Sequence, residues 1–456
     1  MNMIDNAFSG VQAAQIGMNV TSMNIANLLT PGYSRQGMIQ SAVGPQGQGS
    51  LSAGNGVQVE SIRRISNQYL IGQVWQTNSK ASYYAMNDQY ISALEKVIGT
   101  DSTGLSGGLD AFFGSLSALT TQPDGNAERQ QLLNQADALA MRFNNVDDFI
   151  NSQKNSVNSQ RDAIVVQINT LSESIAGYNK KIAEAEAAGG NSSTLRDQRD
   201  QLVKQMSSLT DVKVSEDGSG GYTVTLKNGQ PLVSGSTAGT LTSGSDSNGD
   251  PTLSLSFSNS EYQLDPAQGG QLGALYDYQT GPLKEMQASV RGMTEALAKE
   301  INDQLAQGYD KNGQPGKPLF VFDPANPDGM LHITDLTPDE IALSGNAGEP
   351  GNGDNLQALI DLKSKKVNIS GMGNMSINEA AAALIATIGT TSKQNKSELE
   401  AAQAVSDQAQ MQRDNLSGVN QDEEAINLQV YMQAYQANMK VISAGNQIFN
   451  DLLGLF

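Results

Sequence analysis

Both ends of this chain carry large apolar residues at alternating steps of three and four positions, which is the pattern of a coiled-coil seam. The stripe near the N-terminus consists of Ile4, Phe8, Val11, Met18, Ile25 and Leu29. The stripe near the C-terminus consists of Leu428, Met432, Tyr435, Met439, Ile442, Phe449 and Leu453. Each stripe predicts a helix that packs on another helix, although an ordinary buried helix face would give the same periodicity.

These two ends are also almost free of charge. Asp5 and Arg35 are the charged residues among positions 1–59, and Lys440 and Asp451 are those among positions 425–456. Because a neutral surface lets copies crowd together without repulsion, we expect the ends to enter a multi-copy assembly. Burial along one stripe falls short of the conformational entropy that ordering such a helix costs. We therefore expect the ends to be disordered in the monomer and helical in the assembly.

The excess of acidic over basic residues lies between the two ends. It excludes some classes of function. The chain has 28 Lys and Arg against 47 Asp and Glu, a formal net charge of -19, which opposes binding to nucleic acid or to an anionic membrane. It has no cysteine, which excludes disulfides and thiolate chemistry. The N-terminus has no basic region followed by an apolar run, so no cleavable secretory signal is expected. No segment is apolar enough to predict a membrane span.

The spacing of apolar residues changes twice in the middle of the chain. Helical periodicity covers positions 66–99, 126–188 and 194–209. From Val212 the period becomes two, and the pairs Asp217-Gly218 and Asn228-Gly229 predict β-hairpin turns. Helical periodicity returns after position 270, with a break or kink expected at Gly281-Pro282.

The sequence thus predicts a mainly α fold with an inserted β domain. Its expected parts are paired N- and C-terminal coiled-coil helices, a long helical-bundle domain and a small outer β domain. The predicted boundaries are 1–60 with 416–456 for the terminal coiled-coil domain, 61–210 with 270–308 and 354–415 for the helical bundle, 211–269 for the β domain and 309–353 for a small irregular or β lobe.

Residues capable of catalysis are scarce. His332 is the only histidine, and without cysteine or a second histidine it completes neither a catalytic triad nor a usual metal site. Asp310, Asn312 and Gly313 are similar to the start of a calcium loop, but Val321 stands where the bidentate Glu would be, so a turn is favoured. We therefore expect no catalytic residue, no cofactor and no metal, and hence no enzyme.

Four motifs together resemble the bacterial flagellar rod, hook and hook-associated proteins. Positions 9–36, "SGVQAAQIGMNVTSMNIANLLTPGYSRQ", resemble the N-terminal motif of that family. The central residues of this motif are Asn24, Asn27, Pro31, Gly32 and Tyr33. Positions 417–453 resemble the C-terminal motif, and positions 269–278 and 302–320 resemble internal motifs. The order of the four motifs favours the hook-associated members, which form the junction between hook and filament.

The resemblance implies a structural axial protein of the flagellum, exported from the cytoplasm by the flagellar type III system to an extracellular position. In that family the terminal helices pair along their apolar stripes into an inner layer, Pro31 and Gly32 end the first helix, and a β domain lies outside the helical bundle. The implied partners are further copies in a ring or helical turn, the hook protein, a second junction protein toward the filament, and a cytoplasmic export chaperone that holds the C-terminal segment. Nucleic acid and membrane are not among them.

Two alternatives stay open. A rod or hook subunit would share the N-terminal motif but should lack the helix over 126–188 and the Asp422-Glu423-Glu424 pattern. A hydrolase displayed on the flagellum would need a catalytic constellation of the kind that the residues here do not offer. The stretch after Phe322 is short, which leaves little room for the additional outer domain of longer relatives.

Overall fold

The fold, a computed structural model, is dominated by long helices. The structure describes residues 2–44, 54–99, 104–247 and 249–454. Within these ranges the α-helices are α1 (Asn2–Ala26), α2 (Gln68–Gly99), α3 (Leu105–Ala118), α4 (Asn126–Ala187), α5 (Ser193–Leu209), α6 (Gly270–Tyr278), α7 (Lys284–Leu305), α8 (Asp354–Asp361), α9 (Ile377–Ser417) and α10 (Gln421–Leu453). None of them is both long enough and apolar enough to cross a membrane.

The helical core is built around α4, which is 62 residues long. Its fully buried apolar residues recur at steps of three, four and seven, so one face of the helix points inward along most of its length. They include Leu139, Phe143, Val146, Ile150, Val157, Ile164, Ile168, Ile175 and Ile182. Helices α3 and α5 pack on α4, while α2 packs on α9, α5 and α6. The predicted helix over 126–188 is confirmed within one residue.

The expected break at Gly281-Pro282 takes the form of a π-helical turn, Gln279–Leu283, between α6 and α7. Proline has no backbone N–H, so the regular hydrogen bond of an α-helix cannot form at Pro282. The wider π-helical turn lets the chain continue as a helix although Pro282 has no N–H to donate. Helix α7 begins directly after this turn, at Lys284.

The inserted β region lies between α5 and α6 and forms two antiparallel sheets. The strands are β3 (Val212–Glu216), β4 (Tyr222–Leu226), β5 (Pro231–Ser234), β6 (Thr237–Ala238), β7 (Thr240–Ser245), β8 (Pro251–Phe257) and β9 (Ser260–Leu264), in the orders β3-β4-β5-β6 and β7-β8-β9. Strand β4 buries alternate residues, Tyr222, Val224 and Leu226. The two predicted hairpin turns connect β3 to β4 and β4 to β5.

A smaller lobe follows α7. It contains the two-stranded pairs β10 (Phe320–Phe322) with β11 (Leu331–Ile333) and β12 (Val367–Ile369) with β13 (Gly373–Met375). Arg129 of α4 fastens the lobe to the bundle: this side chain is 1% exposed and donates hydrogen bonds to the carbonyl oxygens of Pro338 and Ile341. The division of the chain into domains stays a prediction.

Two elements were missed in the sequence. Strand β1 (Gln36–Ala42) pairs with β2 (Val57–Arg64). The alternation of Val57 and Val59 predicts a short strand at the second position only, because the alternation in β1 is weak. Helix α3 is rich in glycine and serine, which lower helix propensity, and it forms because Leu109, Phe112 and Phe113 are buried against the bundle. The glycine-rich stretch over positions 42–56 predicts a hinge or loop, and its positions 45–53 lie outside the described residues.

Candidate assembly site

Helices α1 and α10 pair in antiparallel orientation through closely spaced backbones. A Cβ atom built on Gly10 would lie 2.6 Å from the carboxamide of Asn438, and one on Gly17 would lie 2.6 Å from the ring of Tyr431. One built on Gly445 would lie 2.7 Å from Ile4, at the other end of the pair. Glycine at these positions leaves room for the side chains of the partner helix and so lets the two helices lie this close.

Seven of the thirteen predicted seam residues are buried or half-buried, and their role as a seam stays a prediction. Val11 is buried, and its half-buried companions are Ile4, Met18 and Ile25 on α1 and Leu428, Tyr435 and Ile442 on α10. Small residues such as Ala7 and Ala14 complete the buried face of α1. A neighbouring side of α1 packs on the β1–β2 hairpin, where the hydroxyl of Ser9 accepts a hydrogen bond from the Val57 amide.

The other predicted seam residues are exposed. Their side chains are between 43% and 90% exposed, and they are Phe8, Leu29, Met432, Met439, Phe449 and Leu453. The predicted packing of these six between the two helices is wrong, because an antiparallel pair covers only one stripe of each helix and the hairpin occupies another side of α1. Their part in assembly stays a prediction.

Apolar exposure is concentrated on this helix pair. Of the 22 large apolar side chains that are exposed in the described part of the chain, 13 lie on α1, on the turn after it or on α10. Besides the six above they are Met3, Met23, Ile426, Val430, Val441, Ile448 and Leu452. A concentration of exposed apolar side chains of this kind is typical of an interaction site.

Helix α1 ends at Ala26, three residues before Leu29. The backbone then forms successive turns, in which the amide of Leu28 donates to the Ile25 carbonyl and that of Thr30 donates to the Asn27 carbonyl. The expected helix over Leu29 is wrong for this reason, and Leu29 is 90% exposed on the turn. Gly32 completes the reversal with a φ of 79°, a conformation that side chains with a Cβ rarely adopt.

Asn24 locks the end of α1 to the strand that follows. Its carboxamide oxygen accepts from the Gln36 amide and from the Tyr33 hydroxyl, both at 2.9 Å, and its nitrogen donates to the Gln36 carbonyl at 2.9 Å. Asn24, Tyr33 and Gln36 are all buried. Asn27 makes a local bond instead, from its nitrogen to the Met23 carbonyl. The central residues of the N-terminal motif thus stabilise a turn and do not form a catalytic or ligand-binding site.

The segment after this turn is tied to the bundle through Asp197 of α5. Its carboxylate accepts from the Ser34 amide at 2.9 Å and from the Arg64 guanidinium at 3.0 Å. Arg64 also pairs with Asp200, whose other oxygen accepts from the Tyr222 hydroxyl at 2.8 Å. A continuous polar network therefore joins the end of α1, the bundle and the β region.

A second connection runs to the opposite end of the chain. Arg413 of α9 donates to the Gly32 carbonyl at 2.8 Å and to the Ser34 hydroxyl at 3.0 Å. Arg35 pairs with Glu423 at 2.8 Å near the start of α10, and its amide donates to the Ser417 carbonyl. The turn thus holds the beginning of α10 beside the end of α1.

Substitution of Asn24 by alanine should loosen this turn. The backbone N–H and C=O of Gln36 and the hydroxyl of Tyr33 would lose their partner inside the protein, which should destabilise the terminal segment by about 2–4 kcal/mol. Hydrogen exchange of residues 24–36 measures this effect. The control is Asn27→Ala, which removes only hydrogen bonds to the last turn of α1 and within the turn that follows it. Equal effects of the two substitutions would show that the hydrogen bonds of Asn24 do not hold this turn in place.

High pH should open the same network. Burial raises the pKa of Tyr33 and that of Tyr222 to about 12, from 10.0 for a free side chain. The neutral phenol is thus favoured in the folded state, and the stability it contributes is complete below about pH 10 and is lost as the pH rises toward about 12. Denaturant unfolding across this window, with tyrosinate absorbance recorded in parallel, should show a falling midpoint. An unchanged midpoint would contradict the prediction.

The residues weighed above as catalytic or metal-binding candidates make hydrogen bonds within turns and strands of the fold. His332 lies in β11 with its Nε2 3.0 Å from the Asn326 carboxamide nitrogen. The Asp310 carboxylate accepts from the amides of Asn312 and Gln314, so it closes a turn. In the ranges that the structure describes, no group of three or more His, Asp or Glu side chains is placed to hold a metal ion.

Three family models match the chain. Residues 91–320, half of the chain, match a model described as the flagellar hook-associated protein FlgK helical domain. Residues 410–455 match one described as flagellar basal body rod FlgEFG protein C-terminal, and residues 4–33 match one described as flagella basal body rod protein. The matches at the two ends cover the segments that form α1 and α10.

The relatives from three bacteria share the same protein name. Flagellar hook-associated protein 1 of Salmonella typhimurium is 28% identical over 558 aligned positions, with 100% of both chains covered. Its namesake from Escherichia coli is 27% identical with 100% of both covered, and that from Bacillus subtilis is 25% identical with 99% of this chain and 97% of the relative covered. Because 558 positions exceed the 456 residues here, the Salmonella relative contains residues that have no counterpart in this chain.

A solved structure has the same fold. The flagellar hook junction protein FlgK from Burkholderia pseudomallei superimposes with a TM-score of 0.68 at 17% sequence identity. The match covers 76% of this chain and 100% of that chain. The mainly α fold with its β region is thereby confirmed.

Proposed function

Because this chain belongs to the FlgK family of flagellar hook-associated proteins, we propose that it is a structural axial protein of the flagellum that forms the junction between hook and filament. The observation that carries the proposal is the exposed apolar surface of the α1–α10 pair, which remains after the two helices have packed on each other. A chain that works alone in water would not keep so many large apolar side chains uncovered.

Neighbouring copies are the partners that this surface fits. Beyond the acidic first turn of α10 the pair carries few charges, so that part of identical helices can approach with little repulsion. We propose that the exposed stripes pack on the terminal helices of adjacent copies in a ring or helical turn, and that the pair reaches its full stability only there. In this proposal the disorder expected of the ends in the monomer takes the form of frequent opening of the α1–α10 pair, which leaves partial protection that hydrogen exchange can measure.

The other partners follow from the same position in the flagellum. We propose contacts with the hook protein on one side and with a second junction protein on the filament side. Export by the flagellar type III system, with a cytoplasmic chaperone on the C-terminal segment, would bring the chain to its extracellular site. The apolar face of α10 supports this step, since it would need to be covered before assembly. We propose no catalytic activity for this protein.

A rod or hook subunit is the alternative that shares the terminal motifs. The match of residues 91–320 to a hook-associated helical domain favours the junction protein over both. The Salmonella relative contains residues without a counterpart in this chain, which agrees with the expectation that little room is left here for an additional outer domain after Phe322.

Deletion of the gene tests the function directly. We expect cells with complete hooks and no filaments in electron micrographs, and recovery of filaments when the full chain is supplied. Loss of the hooks themselves would indicate a rod or hook subunit instead. Normal filaments in the deletion strain would overturn the proposal.

A further inference from the structure

Exposed methionine is concentrated on the α1–α10 pair. Six methionine side chains are exposed in the described part of the chain, and four of them lie on these two helices, which have only 25 and 33 residues. These four, called the pair methionines below, are Met3, Met23, Met432 and Met439. Since the chain has no cysteine, no thiol of its own competes for an oxidant, and methionine is the residue at which sulfur is oxidised.

The pair methionines belong to the exposed apolar surface of the two helices. Met432 and Met439 are seven residues apart, which is about two helical turns, so they lie on the same face of α10. The terminal methyl carbon of Met3 reaches α10, where it lies 3.1 Å from the place that a Cβ on Gly445 would occupy. All four side chains are between 43% and 46% exposed, so small solutes in the surrounding water can reach them.

The methionines of the core are protected from such solutes. Met206, Met286 and Met293 are almost fully buried. Because the core is closely packed, a dissolved oxidant reaches their sulfur atoms only when the chain opens. Mild oxidation of the folded chain therefore alters its surface and leaves the core unchanged.

We propose that peroxide oxidises the pair methionines of the unassembled chain and thereby prevents its assembly, an effect that rests on the proposed junction function. The lone pair of the thioether sulfur attacks one oxygen of hydrogen peroxide, and the O–O bond breaks. Sulfur loses two electrons and keeps that oxygen as a sulfoxide. The other oxygen leaves as hydroxide and takes up the remaining proton to form water.

The sulfoxide makes an apolar contact surface polar. Its oxygen accepts hydrogen bonds from water, and it would lose them without compensation in a contact between apolar side chains of neighbouring copies. Reductases that act on methionine sulfoxide return the thioether, so the change can be reversed. The pair methionines thus keep an oxidised subunit out of the assembly until it is repaired.

Peptide mapping by mass spectrometry tests the oxidation site independently of assembly. The full-length chain is treated with dilute hydrogen peroxide and digested at intervals. We expect sulfoxide to form at the pair methionines, and at the exposed Met141 and Met411, at least about tenfold faster than at the buried Met206 and Met293. Oxidation of the pair methionines no faster than that of the buried ones would overturn the proposal.

Binding to isolated hooks tests the effect on assembly. Hooks are prepared from the deletion strain, and the fraction of full-length chain that sediments with them is measured before and after peroxide. We expect oxidation to weaken the binding of the wild type at least about tenfold, and treatment with methionine sulfoxide reductases to restore it. Each variant is compared with itself before the treatment. The first variant has no sulfur at the four positions and should show no change; it carries Met3→Leu, Met23→Leu, Met432→Leu and Met439→Leu.

The matched control removes exposed methionines that lie away from the helix pair. Met141 on α4 and Met411 on α9 are 56% and 55% exposed. The double variant Met141→Leu and Met411→Leu should lose binding on oxidation as the wild type does. Unchanged binding of the oxidised wild type, or equal loss in the variant without pair methionines, would overturn this inference and leave the junction function in place. An untreated chain that does not bind hooks would count against both.

Discussion

Exchange of Phe8 and Phe449 for glutamate should leave the monomer folded and abolish filament formation. Both rings are more than half exposed in the single chain, at 55% and 59%, so their loss should change the free energy of unfolding by no more than about 0.5 kcal/mol each. In an assembly each buried ring would contribute ~1.5–3 kcal/mol, and a glutamate would instead bring an unpaired charge into the contact. Thermal unfolding of the double variant and electron microscopy of cells that express it measure the two effects.

The control for this variant is the same change at an apolar residue of similar exposure. Val166 lies on α4, away from the terminal helices, and is 64% exposed. We expect Val166→Glu to support filaments as the wild type does. Filaments of normal number in the Phe8 and Phe449 variant would show that the exposed face of the helix pair is not an assembly surface.

The sequence predicts the fold where the pattern is long or local. The apolar period of α4 continues for many turns, so its two ends could be placed within a residue. The hairpin turns at Asp217-Gly218 and Asn228-Gly229 were readable because the chemistry of a tight turn is contained in two residues. These features depend on neighbours in the sequence.

The assembly site was predicted only in part, since its arrangement depends on contacts between distant residues. Periodicity identified apolar positions at both ends, yet it could not show that small residues such as Gly17 would form the contact and leave Phe8 outside. The same holds for Asp197 and Arg64, which meet the turn after α1 from far along the chain. A single sequence gives no information on which charged residues are partners at such a distance.

Substitution of Gly17 by leucine should separate α1 from α10. A Cβ at this position already lies 2.6 Å from the ring of Tyr431, so the larger side chain forces the two backbones apart. Amide hydrogen exchange along α10 should become faster by more than about tenfold, which corresponds to ~1.4 kcal/mol, while α4 keeps its protection.

The matched control places the same residue where the glycine has room. Gly177 lies on α4 and has no atom within 4 Å of a built Cβ, so Gly177→Leu should leave the exchange of α10 unchanged and, by removing a flexible residue from a helix, stabilise the bundle by a few tenths of a kcal/mol or more. Unchanged protection of α10 in Gly17→Leu would mean that the close contact is dispensable. Faster exchange confined to α1 and α10 would show instead that glycine permits the pairing, and that the apolar stripes alone do not hold the two ends of the chain together.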